Sequence, residues 1–176
     1  MEFRQVNTKE PIFLAGYSRG AAIVIQAARL LHEDSVEVSG LVLFDTVDRA
    51  LGLTEIESIT PNVRQFAHAR RDPTVRSRPY FGYPNLRFDS SSTVRIFDRP
   101  YKATHSALGG LPWQGDHPVG PVKYVPPNTP YVLGKIGDPW REAEGVPTIT
   151  KEEDTAAVHQ IKADMWAAMR QMGMMR

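Results

Sequence analysis

A single serine between two glycines is the feature of this sequence best suited to chemistry. Ser18 lies in the segment Gly16-Tyr17-Ser18-Arg19-Gly20, where an apolar run ends and a run with helical spacing begins. A tight turn there lifts the hydroxyl above the end of a strand, and we expect Gly16 and Gly20 to be needed because larger side chains would clash. The backbone N–H of Arg19, at the start of the helix, would face charge that develops on a substrate oxygen. The pattern predicts a nucleophilic serine.

A serine nucleophile needs a base, and the base needs an acid that orients it. We predict that His105 is the base, because it lies late in the chain in a loop of small residues that Gly109 and Gly110 allow to bend. Asp45 and Asp72 both qualify as the acid, since each follows the carboxyl end of a predicted strand, where ligands bind in parallel sheets. The residues alone do not distinguish Asp45 from Asp72 as the acid. Structural or solvent roles are expected for the other histidines, His32, His68, His117 and His159.

These residues need a βαβ unit to position them. The short run at Pro11–Gly16 is apolar without alternation, which is typical of a strand buried on both faces of a parallel sheet. Arg19–Glu33 has the spacing of a helix whose first turns are apolar nearly all round, and Gly40–Phe44 is a second buried strand. A right-handed crossover is expected between the two strands.

The rest of the chain completes the predicted α/β domain. Weaker strand patterns lie at Val63–Ala67 and Thr93–Phe97, and residues 113–149 are dense in proline and glycine, which predicts irregular coil. A C-terminal helix is predicted over 150–172, where Thr150 and Glu153 form a capping box. One apolar stripe at spacings of three and four is expected to pack in the core, and it consists of Val158, Ile161, Met165, Trp166, Met169 and Met172. Residues 1–176 are therefore read as one domain, with a mainly parallel sheet of about four strands and flanking helices.

Composition excludes several functional classes. The net charge is +1 with basic and acidic residues interspersed, so nothing indicates a nucleic-acid partner. The chain has no cysteine and its first residues are polar, from which we expect a cytoplasmic protein without a signal peptide. The longest uninterrupted apolar stretch, Ala21–Ile25, is too short to cross a bilayer. Neither a metal nor a cofactor is expected.

Four segments together resemble a known family: GYSRGAA, LFDTVDRALGL, FAHARRDP and ATHSALGG. They are similar to the α/β-hydrolases with a G-[FY]-S-R-G-A elbow, a family that includes type VI secretion phospholipase effectors. The resemblance covers residues 11–112 and implies Ser18 as nucleophile and His105 as base, with Asp45 and Asp72 as the candidate acids. Two positions depart from the family pattern: Ala107 replaces a frequent acidic residue, and Arg71 stands where a small or apolar residue is usual.

The resemblance implies a serine hydrolase that cleaves a carboxylic ester, of a lipid or another acyl compound. Transfer of the acyl group to an acceptor other than water is a further hypothesis. It also implies a half-fold before the elbow, whereas only ten residues precede Pro11. We therefore expect a truncated domain, a second copy or partner chain that covers the apolar strand Ile12–Ala15, or a minimal relative in which the N-terminal half is dispensable. The alternative function is a non-catalytic or partner-dependent half-domain that acts as an interaction module.

Overall fold

The computed structural model describes residues 10–47, 57–77, 81, 84–112 and 149–175. In chain order the elements are β1 (Phe13–Tyr17), α1 (Arg19–Glu33), β2 (Gly40–Phe44), β3 (Ser58–Ile59), β4 (Gln65–Arg71), β5 (Arg87–Phe88), β6 (Val94–Tyr101), α2 (His105–Leu108) and α3 (Lys151–Gln171). A 3-10 turn over Pro73–Val75 follows β4.

The central sheet has four strands in the order β1-β2-β4-β6, and every neighbouring pair is parallel. Tyr17 pairs with Phe44, which in turn pairs with Ala69. Ser18 and Asp45, the residues after β1 and β2, therefore leave the sheet at the same level. The predicted parallel sheet of about four strands with flanking helices is confirmed.

The two faces of the sheet are covered by different helices. Leu41 and Leu43 of β2 pack on the side of α1, whereas Val42 between them packs on the side of α2 and α3. This alternation follows from the pleat of a strand, which turns successive side chains to opposite faces. Because both faces are covered, the inner strand β2 consists of glycine and apolar residues in sequence.

The C-terminal helix α3 begins and packs as its sequence predicts, with one exception. The side chain of Thr150 accepts from the backbone N–H of Glu153, and the Glu153 carboxylate accepts from the N–H of Thr150, which is a complete capping box. Ile161 and Met165 are buried against the sheet. Trp166, predicted as part of the same stripe, is 41% exposed instead. It follows Met165 directly, and one residue turns the side chain by about 100° around a helix.

The predicted elements and the observed ones differ most at the ends of strands. β4 and β6 each continue four residues beyond the predicted limits, to Arg71 and Tyr101. The prediction of irregular coil for residues 113–149 falls almost entirely outside the described residues. No helix among the described residues has the length and apolar character needed to cross a membrane.

Candidate active site

Ser18 lies in the sharp turn between β1 and α1. Its backbone has φ 57° and ψ −125°, a combination that non-glycine residues rarely adopt and that is strained by about 1–3 kcal/mol. The Ser18 N–H donates to the carbonyl of Phe44 at the end of β2 (2.9 Å), which holds the turn against the sheet. The Arg19 N–H is the first of α1 and has no carbonyl acceptor within the helix, which leaves it available for the role of oxyanion donor that the sequence predicts.

The two elbow glycines have different roles. A Cβ on Gly16 would contact the carbonyl of Gly20 and lie 2.7 Å from Cα of Ala21, so the backbone of β1 approaches α1 too closely for any side chain. A Cβ on Gly20 would meet nothing within 4 Å. The expectation that both glycines are sterically required is therefore wrong for Gly20 and holds only for Gly16.

Three of the predicted side chains meet above the carboxyl ends of β1 and β2. His105 Nε2 lies 3.0 Å from Ser18 Oγ, and His105 Nδ1 lies 2.5 Å from Asp45 Oδ2. The imidazole is 4% exposed and the Asp45 residue 2%, whereas Ser18 is half-buried. The acid and the base are thus shielded from water, and the hydroxyl remains within reach of a ligand.

The Asp45 carboxylate owes its direction to the backbone at the end of β2. Asp45 has φ 44°, a left-handed conformation that aspartate tolerates better than most residues, and its N–H donates to the Ala69 carbonyl (2.8 Å). Its Oδ1 accepts from the backbone N–H of Arg71 (3.3 Å), and the Arg71 Nε lies 2.5 Å from Oδ2. A charged guanidinium therefore shares with His105 the same carboxylate oxygen.

Asp72 is not brought to the imidazole, so its assignment as a candidate acid is corrected. Its carboxylate turns away to the 3-10 turn, where it accepts from the backbone N–H of Thr74 (2.9 Å) and from the Thr74 hydroxyl (2.7 Å). These two hydrogen bonds hold the pKa of the Asp72 carboxyl below its ordinary value. Side chains alternate along the extended chain at the end of β4, so Arg71 points toward Asp45 and Asp72 points outward.

His105 is held by contacts from three other parts of the chain. It begins the short helix α2, whose N-cap Thr104 donates its hydroxyl (2.8 Å) and its N–H (2.7 Å) to Asp154 of α3. The Tyr17 hydroxyl donates to the His105 carbonyl (2.9 Å), and the two rings stack with centroids 4.9 Å apart. A Cβ on Gly109 would lie 2.7 Å from the Tyr17 ring, so any larger residue there would displace the ring from its stacked position.

For a neutral imidazole beside an ionised carboxylate, the donors and acceptors of this arrangement agree with one proton placement. An ionised carboxylate can only accept, so the proton of a neutral imidazole lies on Nδ1, between His105 and Asp45. The lone pair of Nε2 then faces Ser18 and accepts from its hydroxyl. This is the protonation pattern in which a histidine can remove a proton from a serine.

Comparisons with known proteins found no match to the chain among family models, curated proteins or solved structures. In the part of the chain that the structure describes, no group of three or more histidine, aspartate or glutamate side chains could hold a metal ion.

Sequence reasoning did not identify Thr104 and Asp154 as parts of this site, and it gave Arg71 only as one of three arginines, with Arg70 and Arg76, that would keep a nearby acid ionised. Arg71 carried one signal, its departure from the pattern of the family that the chain resembles. Thr104 carried another signal, because threonine is a common N-cap residue at the start of a helix. Asp154 lies in the first turn of α3, where an acidic residue is expected because of the helix dipole alone, so no feature of the sequence indicated a role in the site.

Among the described residues, no other histidine contacts Ser18. His32 and His159 are exposed on α1 and α3, and His117 lies outside the described residues. His68 of β4 is 2% exposed, with Nε2 3.4 Å from the Thr46 hydroxyl. Burial lowers the pKa of His68 to about 4, and the Arg70 guanidinium also lowers it, against the opposing effect of the Asp98 and Asp45 carboxylates.

This buried histidine predicts an acid-sensitive fold. An unfolded histidine titrates near pH 6.5, so between about pH 6.5 and 4 the unfolded chain binds a proton that folded His68 does not. The free energy of unfolding should therefore fall as the pH falls through this window, by up to about 3 kcal/mol from this residue. Urea unfolding at several pH values measures the slope, which His68→Gln should flatten. His32→Gln, a change at an exposed position, is the control and should leave the slope as it is.

Proposed function

We propose that the protein is a serine hydrolase of the α/β-hydrolase type that cleaves a carboxylic ester. Ser18 is its nucleophile, His105 its general base and Asp45 the acid that orients the base. The observation that carries the proposal is the unbroken contact from Ser18 Oγ to Nε2 and from Nδ1 to Oδ2, at 3.0 and 2.5 Å. The strained backbone at Ser18 supports it, because such strain persists where the surrounding structure demands one orientation of a side chain.

In the first half of the reaction, Ser18 Oγ forms a bond to the carbonyl carbon while its proton moves to His105 Nε2. The carbonyl oxygen gains the negative charge, which the Arg19 N–H stabilises at the positive end of α1. The Asp45 carboxylate stabilises the imidazolium without taking its proton. When the intermediate collapses, the bond to the alcohol oxygen breaks and the alcohol leaves with the proton from Nε2, so the acyl group stays on Ser18.

Water reverses these steps in the second half. It loses a proton to Nε2 as its oxygen bonds to the acyl carbon, and the bond to Ser18 Oγ then breaks as that oxygen recovers the proton. An acid is released and the free serine is restored. An acyl group of a lipid or a similar compound is favoured as the substrate because the Tyr17 and Phe81 rings enclose the imidazole, with Phe81 edge-on at a centroid distance of 5.1 Å.

A fluorophosphonate probe tests this proposal directly. It reacts with serines that a neighbouring base activates, and we expect it to modify one peptide, that containing Ser18. Ser18→Ala should abolish the labelling and the hydrolysis of short-chain nitrophenyl esters, whereas Ser92→Ala, a change at an exposed serine, should preserve both. A wild-type protein that takes up no label would contradict the proposal.

The non-catalytic alternative keeps one supporting observation. β1 is the end strand of the described sheet, and α1 beside it exposes Ile23 and Leu30, which suits an association surface. An interaction module has no need of an activated serine, however. Labelling that depends on Ser18 would therefore favour the hydrolase over this alternative.

A further inference from the structure

A closed ring of contacts joins the acid and the base on the side away from Ser18. Arg71 lies 2.5 Å from Asp45 through Nε, and its Nη1 donates to the carbonyl of Ser77. The Ser77 hydroxyl accepts from the backbone N–H of His105 (3.0 Å), and the imidazole returns to Asp45. All four residues are at most 4% exposed.

We propose that Arg71 is a positioning residue of the site, which holds the Asp45 carboxylate and the His105 backbone in one geometry. This inference rests on the proposed function for its catalytic consequence. Its structural claim is independent: without Arg71, Asp45 Oδ2 no longer faces the imidazole in a single orientation.

The planar guanidinium suits this task better than other cations. Its charge is spread over a rigid plane, so that one side chain forms an ion pair with the carboxylate through Nε while Nη1 donates to the Ser77 carbonyl. The Arg71 backbone N–H adds a third contact, to Asp45 Oδ1. Both carboxylate oxygens are therefore held from β4, and rotation of the Asp45 side chain breaks a contact in either direction.

The charge of Arg71 explains how three ionisable groups share one buried place. A buried carboxylate is strongly unfavourable unless a cation or several hydrogen bonds compensate it. Arg71, with a fully buried side chain, supplies that cation, and each ion of the pair would be destabilised without the other. The neighbouring Arg70 does not take part, since it is half-exposed and its Nε donates to Asp98 (3.0 Å).

A small cavity of about 140 Å³ gives outside access to this ring. Asp45 and Arg71 line it together with His68 and Arg70, at the ends of β2 and β4. It is large enough for a guanidinium ion, and neither Ser18 nor His105 is among the residues that line it. A variant that lacks the Arg71 side chain can therefore be supplied with the missing group from solution.

Three variants test the inference. Arg71→Met should slow fluorophosphonate labelling of Ser18 by about 10²-fold, the loss expected when a catalytic group is misplaced by about 1 Å. It should also remove the far-downfield proton resonance that a short imidazole–carboxylate hydrogen bond gives, a signal independent of activity. Arg70→Met removes the adjacent arginine and should change neither. Arg71→Lys keeps the charge but not the planar group, so we expect an intermediate labelling rate.

Chemical rescue separates positioning from a general effect on stability. In Arg71→Ala, guanidinium below unfolding concentrations should restore labelling, whereas urea, its neutral analogue, should not. Equal labelling in wild type and Arg71→Met with the resonance retained would overturn the inference, as would equal effects of guanidinium and urea. If Arg71→Met does not fold, the inference is tested by the downfield resonance of Arg71→Lys and by the guanidinium rescue of Arg71→Ala. A wild-type protein without labelling overturns the proposed function only, because the resonance still reports on Arg71.

Discussion

Changing Asp45 to asparagine is expected to slow the labelling of Ser18 by about 10⁴-fold, the loss found when the acid of a serine triad becomes an amide. An amide favours the wrong tautomer of His105, since its NH₂ donates to Nδ1 and leaves the proton on Nε2. The change also leaves Arg71 without its anionic partner, so we expect stability to fall by about 3–5 kcal/mol. Labelling rates and urea unfolding measure the two effects separately.

The control is Asp72→Asn, at the other aspartate that follows a strand of the sheet. Its carboxylate contacts Thr74 and not His105, so the labelling rate should match that of the wild type. Faster labelling of Asp45→Asn than of Asp72→Asn would reverse the assignment of the acid.

Replacing Gly16 with alanine should damage both the fold and the site. The added Cβ would lie 2.6 Å from the Gly20 carbonyl carbon and 2.7 Å from Ala21 Cα, and neither backbone atom moves without shifting α1. We expect a loss of about 3 kcal/mol in the free energy of unfolding, the upper part of the usual range for overpacking. The labelling rate should fall as well, because the start of α1 carries the Arg19 N–H. Thermal unfolding and labelling of the same sample check both.

Gly20→Ala is the matched change four residues later. It places a Cβ in open space at the second position of α1, and alanine favours a helix by up to about 1 kcal/mol over glycine. The variant should therefore be at least as stable as the wild type and should label normally. If the two substitutions have equal effects, the close approach of β1 to α1 is not what the elbow depends on.

Local patterns were sufficient to predict the first βαβ unit. The helix over Arg19–Glu33 and the strand over Gly40–Phe44 have the predicted bounds. Each is marked by its own run of apolar residues, which must be buried and therefore reveals the element without knowledge of its neighbours. The ends of β4 and β6 were missed for the opposite reason. These ends are rich in charged residues, and each becomes part of a strand only because a partner from elsewhere satisfies it, as Asp98 does for Arg70.

The choice between the two acids needed the same non-local information. Asp45 and Asp72 both follow strands, and both lie near arginines in the sequence. They differ in the backbone, which is left-handed at Asp45 and extended at Asp72, and no local pattern distinguishes these conformations. Motif reasoning erred in the other direction at Gly20, where it required a glycine that the geometry does not need.

The anchoring of His105 by α3 has a consequence for the newly made chain. Asp154, which holds Thr104 beside the imidazole, lies downstream of every residue of the proposed triad. During translation the hydroxyl of Ser18 leaves the ribosome long before this carboxylate does, and the residues of one core fold together as a unit. The nascent polypeptide would thus carry an inert serine until α3 docks, so that reactivity arises only as synthesis of this region is completed.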